Sequence, residues 1–284
     1  MKHRALINLL LLALCLALAI FVYLSPGNTE VHKPRLIPLA ISEITTIRIE
    51  RQQANTIELT RHQDEWHISS PIKARALAAK VERLLKISQI EPPSSYPLGQ
   101  QSLQRFGLES PLVRILYNDT PISIGGTESV NSRRYVHSGD QLHLLDDTFL
   151  HHLNSPLSSY IDKRLLPDGA QIITLQTPSL DLQQSEDNAW HNTFQPKGVI
   201  SADAVQVLFD EWRFARAINV DTTLQAHPTA QVVIQLSNQR VQFTLIQQKN
   251  AVLLINQANH LAYRFSLDKY KRMTTLNSLE ADGA

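Results

Sequence analysis

The chain has almost no cysteine. Its one thiol, Cys15, lies inside the long apolar run near the N-terminus. The remainder therefore neither uses disulfides nor risks wrong ones, and it has no thiol for catalysis. A charge excess is missing too: the formal net charge is +1, with no long run of one sign. No global field selects nucleic acid or an acidic substrate. Low-complexity tracts are absent although Gln is frequent. With 43% hydrophobic and 19% charged residues, the composition is that of a globular chain, and 284 residues leave room for two domains.

One long hydrophobic run is present. "ALINLLLLALCLALAIFVYL", residues 5–24, holds no charge and one polar amide, Asn8. Twenty helical residues reach about 30 Å, the thickness of a bilayer's hydrocarbon core. Cleaved signal peptides have shorter apolar regions, and a small-x-small site at Ala17 and Ala19 falls inside the run. An uncleaved transmembrane anchor over residues 1–25 is expected, ahead of a cleaved signal or a buried helix. Lys2 and Arg4 precede it directly, whereas Lys33 and Arg35 come later and are diluted by Glu30. The positive-inside rule then places the N-terminus in the cytoplasm and the rest outside. Leu14 before Cys15 is too large for a lipoprotein attachment site.

Three prolines and a glycine mark residues 26–40 as a linker. After it the periodicity becomes that of short strands. Ile47 and Ile49, Ile57 and Leu59, and Trp66 and Ile68 alternate with polar residues. "ARALAAKVERLLKIS" then has helical spacing, with Leu77, Val81, Leu84, Leu85 and Ser88 on one face.

Two of the three tryptophans are followed by His. With the sequence slid by 124, residues 66–85 meet 190–209 without a gap. Trp66, His67, Lys73, Ala78, Val81 and Leu84 match Trp190, His191, Lys197, Ala202, Val205 and Leu208. Unrelated sequences would give about one identity in such a window. Short alternating strands precede Trp190, and Ser201 and Asp203 begin a helix with Val205, Leu208, Phe209 and Trp212 on one face. Two hairpins follow in each half. The expected fold class is therefore α+β: an N-terminal transmembrane helix, then two tandem duplicated repeats of mainly antiparallel strands with one main helix each. The first repeat is expected at 41–165, the second at 166–277, and a tail at 278–284. In each, the Trp should plug the sheet beneath the helix and the His should face away.

"DEWHISSPIKARALAAKVERLLKIS", "RFGLESPLVRI", "RRYVHSGDQLHLLDD" and "IDKRLLPDGAQIITLQ" resemble domain of unknown function family 4340 (DUF4340). Trp66, Pro71, Gly107, Leu108, Pro111, Tyr135, Val136 and the exit run Asp162, Lys163, Arg164, Leu165 and Leu166 carry the match. It covers residues 41–180 well and the second half weakly, where "QAHPTAQ" replaces Gly-Leu-x-x-Pro. The resemblance implies a bacterial, membrane-anchored, extracytoplasmic protein with relatives often associated with ABC transporters and gliding-motility-type auxiliary proteins. It brings no catalytic residues.

The densest group of titratable side chains is His137, His143, Asp146, Asp147, His151 and His152. Asp147 and His151 are four apart, yet no metalloprotease pattern surrounds them. They read as solvated or capping residues. "SIGGTES" lacks the Lys and helix start of a phosphate loop and reads as a hairpin turn. No nucleophile elbow and no aromatic-basic stripe is present. The expectation is a non-enzymatic accessory or interaction module of a cell-envelope complex, in the bacterial inner membrane with its bulk in the periplasm. It has no cofactor, metal or catalytic residue, and its partner is an envelope protein. A periplasmic ligand-binding domain, for example for a glycan held between the repeats, is the second reading, and a hydrolase the third.

Overall fold

The computed structural model describes residues 2–24, 35–195, 200–222 and 229–276. It opens with helix α1 (Lys2–Leu24). The described side chains of α1 are exposed, from Ile7 at 57% to Phe21 at 70%. Among the described residues, no helix is long and apolar enough to cross a membrane. The transmembrane span expected at residues 1–25 is thus not supported as a span. What stands is a helix.

The first repeat runs β1 (Thr46–Arg51), β2 (Ala54–His62), β3 (Glu65–Ser70), β4 (Ala74–Arg75), α2 (Ala78–Ser88), β5 (Ser94–Pro97), β6 (Val113–Tyr117), β7 (Thr120–Thr127), β8 (Arg134–Ser138), β9 (Gln141–Leu145) and α3 (Leu150–Leu153). The second runs β10 (Ile172–Gln176), β11 (Asp181–Gln184), β12 (Trp190–Asn192), α4 (Ala202–Arg213), β13 (Asn219–Asp221), β14 (Ala230–Leu236), β15 (Arg240–Gln247), β16 (Val252–Asn256), β17 (Ala262–Phe265) and α5 (Leu267–Thr274). Tight turns join many of the hairpins. Gln53, Gln63, Asn118 and Gly139 take the positive φ such turns require. Asn118 adds a lock, since its Oδ1 accepts the backbone N–H groups of Thr45 and Thr46 at 2.9 and 3.1 Å.

The fold is α+β, with two antiparallel sheets that share one strand order. The first is β4-β3-β2-β1-β6-β7-β8-β9-β5, the second β12-β11-β10-β14-β15-β16-β17-β13. Apart from the two-residue β4, every strand has its counterpart. The offset of 124 holds at atomic detail. Ala76 N–H donates to Trp66 O at 2.9 Å, and Ile200 N–H donates to Trp190 O at 3.0 Å. Helices α2 and α4 begin at Ala78 and Ala202, again 124 apart. Five buried positions also correspond, Lys80 with Ala204, Val81 with Val205, Leu84 with Leu208, Leu85 with Phe209, and Ser88 with Trp212, while the buried Ile87 of α2 has no buried counterpart in α4.

The lead-in segments repeat as well. Arg35-Leu36-Ile37-Pro38 matches Arg164-Leu165-Leu166-Pro167. Leu36 N–H bonds Ile90 O and Leu165 N–H bonds Ala215 O, both at 3.0 Å. Leu36, Ile37, Leu165 and Leu166 are all buried. The end of the segment read as linker is therefore packed, while residues 25–34 lie outside the described residues. Buried side chains of both repeats form one continuous hydrophobic core.

Several local readings change. "ARALAAK" does not start the helix: Ala74-Arg75 form an edge strand and α2 begins at Ala78. "SIGG" is not a turn but part of β7, where a register shift between Ile124 and Thr127 marks a bulge. Strands β5 and β13, which close the far edge of each sheet, have no alternating pattern in sequence. Trp66 and Trp190 are half-buried, packed against the core and not within it, and the fully buried tryptophan is Trp212. Both lie near the edge of their sheets, where β3 is flanked by the two-residue β4 and β12 by a one-residue bridge at Ile200, so little structure covers either ring from that side.

A candidate binding cleft between the repeats

The connector "DKRLL" lies where the repeats meet. Asp162 is buried and accepts from Arg164, at Nε 2.6 Å away and at the backbone N–H 3.1 Å away. Arg164 also pairs with Asp168. These bonds hold the guanidinium above its ordinary pKa, with the Asp162 bond the largest cause. The bond from Arg164 lowers Asp168 below the usual carboxylate range. From the first repeat, Arg75 donates Nη2 to the carbonyls of Arg164 and Leu166 at 2.8 and 3.0 Å. A one-residue bridge joins Arg164 to Arg216.

Above this connector opens a cleft of about 660 Å³. That volume lies within the roughly 300–1,000 Å³ of small-molecule sites. One wall comes from the β3–β4 edge: Glu65, His67 and Arg75. The other comes from the start of β15 and the β16–β17 turn: Gln239, Arg240, Gln242, Asn256, Gln257, Asn259 and Tyr263. The register of β3 against β4 sets His67 beside Arg75. His67 Nε2 is 3.9 Å from a Glu65 carboxylate oxygen, and its buried Nδ1 has no partner among the described residues. Asn256 and Asn259 use their Oδ1 atoms to accept from Ala258 and Leu261 N–H at 2.8 and 3.2 Å. Those bonds shape the turn and commit the acceptor end of each amide. Burial raises the Tyr263 hydroxyl's pKa, so it is protonated at neutral pH and can donate.

Chemically the cleft offers many neutral donors and acceptors, one arginine tied into the fold and a second, Arg240, without a carboxylate partner among the described residues. A smaller cavity of about 220 Å³ adjoins it, shares Glu65 and Arg75, and is lined by Trp66 and Ala78. The surroundings of the two tryptophans differ between repeats. In the second, Trp190 packs edge-on against Phe209, whereas the first repeat has the smaller Leu85 at the Phe209 position.

The histidine-aspartate group is dispersed. His143 stands beside Val136 in the register and His137 beside Leu142, on opposite faces of the sheet. His143 Nδ1 lies 2.8 Å from Ser95 Oγ. Asp147 pairs with Arg134 and caps α3, accepting Leu150 N–H at 3.3 Å, while Asp146 faces Arg133 at 3.4 Å. The His151 and His152 rings lie tilted at 48° with centroids 3.8 Å apart. Among the described residues, no group of three His, Cys, Asp or Glu is placed to hold a metal.

Sequence reasoning missed Lys80, which is 6% exposed. Its Nζ donates to Ser155 Oγ at 2.7 Å and lies 4.7 Å from the Tyr160 ring centroid. Burial, then the Arg83 charge, lowers its pKa to about 8. A lysine of that kind beside a serine is the geometry of an activated nucleophile. Here the serine hydroxyl donates to His151 O at 2.8 Å, so its proton is held by the backbone. The matching position in the second repeat is Ala204. Lys80 is read as a packed, satisfied side chain.

The family described as Domain of unknown function (DUF4340) matches residues 66–245. The chain belongs to the DUF4340 family. The match starts at Trp66 in β3 and ends in β15, so it crosses the connector and takes in parts of both repeats. It reaches well into the second half, further than the sequence motifs indicated. No curated protein and no solved structure matches the chain.

Proposed function

We propose that this DUF4340 chain is a membrane-anchored, extracytoplasmic binding module of the bacterial envelope, and that the inter-repeat cleft is its working site. It recognises its ligand and does not transform it. The carrying observation is the cleft's lining. Amides of Gln239, Gln242, Asn256, Gln257 and Asn259 stand with Arg240 and the Tyr263 hydroxyl around about 660 Å³. Neutral amides with an aromatic hydroxyl suit a polyhydroxylated ligand such as an envelope glycan, which presents many hydroxyls and little charge. The anchoring part of the reading draws on the charge-free residues 5–24 within α1 and on Lys2 and Arg4 before them.

Native mass spectrometry of the full chain extracted in mild detergent is the test. A bound small molecule should be present and should be lost from an Arg240→Ala, Gln242→Ala variant of unchanged melting temperature. Retention of that mass by the variant removes the cleft from the proposal. A reporter fused after Ala284 that is active only in the cytoplasm removes the extracytoplasmic assignment.

A second reading is an accessory subunit bound to another envelope protein, such as an ABC-type transporter component. Phe214 and Ile218, 68% and 60% exposed, flank the buried Ala215 and Ala217 beside the connector. Exposed large apolar side chains at that place favour a protein partner. Co-purification of a membrane protein in place of a small molecule selects it.

A further inference from the structure

Arg35 donates Nη1 to Gln89 Oε1 at 2.6 Å, and Leu36 N–H bonds Ile90 O at 3.0 Å. The chain coming from α1 therefore joins the folded body at the C-terminal end of α2. Residues 25–34 separate Leu24 from Arg35, and such a stretch covers at most roughly 40 Å at full extension.

That same end of α2 carries a shallow cavity of about 240 Å³. Its floor is apolar, with Ile87 and Phe149 buried and Ile90 half-buried. Its rim holds Arg83, Lys86, His152 and Thr148, and no carboxylate lines it. Glu82 reaches Lys86 at 2.7 Å, but both side chains are at least 65% exposed, where water and salt weaken the pair. Behind the rim, the ammonium of Lys80 is bound to a serine hydroxyl and not to a carboxylate. Positive charge therefore exceeds negative charge around an apolar floor.

We propose that this cavity seats the headgroup of an anionic phospholipid from the bilayer that holds α1. The inference rests on the anchoring reading above. Arg83 and Lys86 would take the phosphate, Thr148 and His152 the glycerol hydroxyls, and Ile87, Ile90 and Phe149 the first acyl carbons. Two observations favour lipid over an acidic peptide. The tether enters the body beside the cavity, which keeps it within reach of the membrane. The floor beneath the cations is apolar, matching a ligand whose charge and hydrocarbon lie end to end. Docking there would fix how the body sits over the bilayer.

The experiment uses the full chain with Cys15→Ser and Glu91→Cys, labelled at the exposed position 91 beside Ile90 with a polarity-sensitive dye and reconstituted into vesicles. Emission should shift to the blue when phosphatidylglycerol is mixed into phosphatidylcholine, and high salt should reverse the shift. The phosphatidylglycerol content giving half the shift should rise about fivefold for each cation removed in Arg83→Gln and Lys86→Gln. Equal emission with both lipids, from a chain that floats with both vesicles, overturns the headgroup site alone. A chain that floats with neither overturns the anchor and this inference together. A shift produced by soluble glycerophosphate in phosphatidylcholine vesicles overturns the membrane as the source.

Discussion

Trp190 stands edge-on to Phe209, with ring centroids 5.3 Å apart and planes at 90°. Edge-to-face contacts add to area burial. Trp66, its partner by repeat, has Leu85 in place of the phenyl ring and borders a small cavity. Trp190→Ala should therefore cost about 2–4 kcal/mol, and Trp66→Ala less, about 1–2 kcal/mol, because both are half-buried and only one has the aromatic contact. Chemical denaturation of each variant decides it. Equal costs would mean that the cavity beside Trp66 contributes nothing.

Lys80 makes stability depend on alkaline pH. Its folded pKa, about 8, lies below the unfolded value of 10.5. Between those values the unfolded chain holds the proton and the folded chain does not, so stability rises as pH rises from about 8. Above pH 10 Tyr117, Tyr160, Tyr263 and Tyr270 act oppositely, since burial raises each of them. The melting temperature should climb between pH 8 and 10 in the wild type. In Lys80→Met that climb should flatten. A parallel profile in the variant would assign the effect elsewhere.

The duplication was legible because Trp, His and the helix after them keep one uninterrupted spacing, from Trp66 to Ser88 and from Trp190 to Trp212. Outside that window the copies differ in length, and Arg-Leu-Ile-Pro and Arg-Leu-Leu-Pro recur at a different offset. Hairpins were legible from alternation. Strands β5 and β13 were not, since an edge strand with exposed residues such as Tyr96 carries no apolar face to alternate. The cleft was anticipated only as a groove between repeats. Its walls come from turns and strand ends far apart in sequence, and amides in turns look alike whether or not they face a cavity. Lys80 escaped notice because its ammonium finds Ser155, which is 75 residues away.

Gly125 is required by a close backbone approach. A Cβ there would lie 2.3 Å from Phe106 O and 2.9 Å from Leu108 Cγ. The carbonyl belongs to the short 3₁₀ turn over β7, whose Phe106 ring packs on Tyr135 at 5.0 Å. Gly125→Ala should destabilise by about 2–3 kcal/mol, near the upper range for overpacking. Gly126→Ala, whose Cβ would meet nothing nearer than 3.4 Å, should cost under about 1 kcal/mol. Urea titration of the pair tests this, and a harmless Gly125→Ala would show that the 3₁₀ turn moves freely.

The connector should decide whether the two repeats unfold together. Asp162 is 3% exposed and binds Arg164, and Asp162 N–H bonds Arg75 O at 2.9 Å. Arg75 in turn holds the carbonyls of Arg164 and Leu166. Removing the carboxylate in Asp162→Ala strands the Arg164 guanidinium, which keeps only the more exposed Asp168. Breaking one side of such a pair costs about 3–5 kcal/mol when both partners are buried, and less here because Arg164 is 25% exposed. The wild type, with one continuous core, should melt in a single calorimetric transition. Asp162→Ala should lower that transition and broaden or split it, because the lost bonds hold the shape of the connector whose carbonyls Arg75 grips. Arg164→Met with Asp162→Leu, which removes both charges, should recover part of the loss. A single, sharp, unshifted transition in Asp162→Ala would show that the shared apolar core alone couples the repeats.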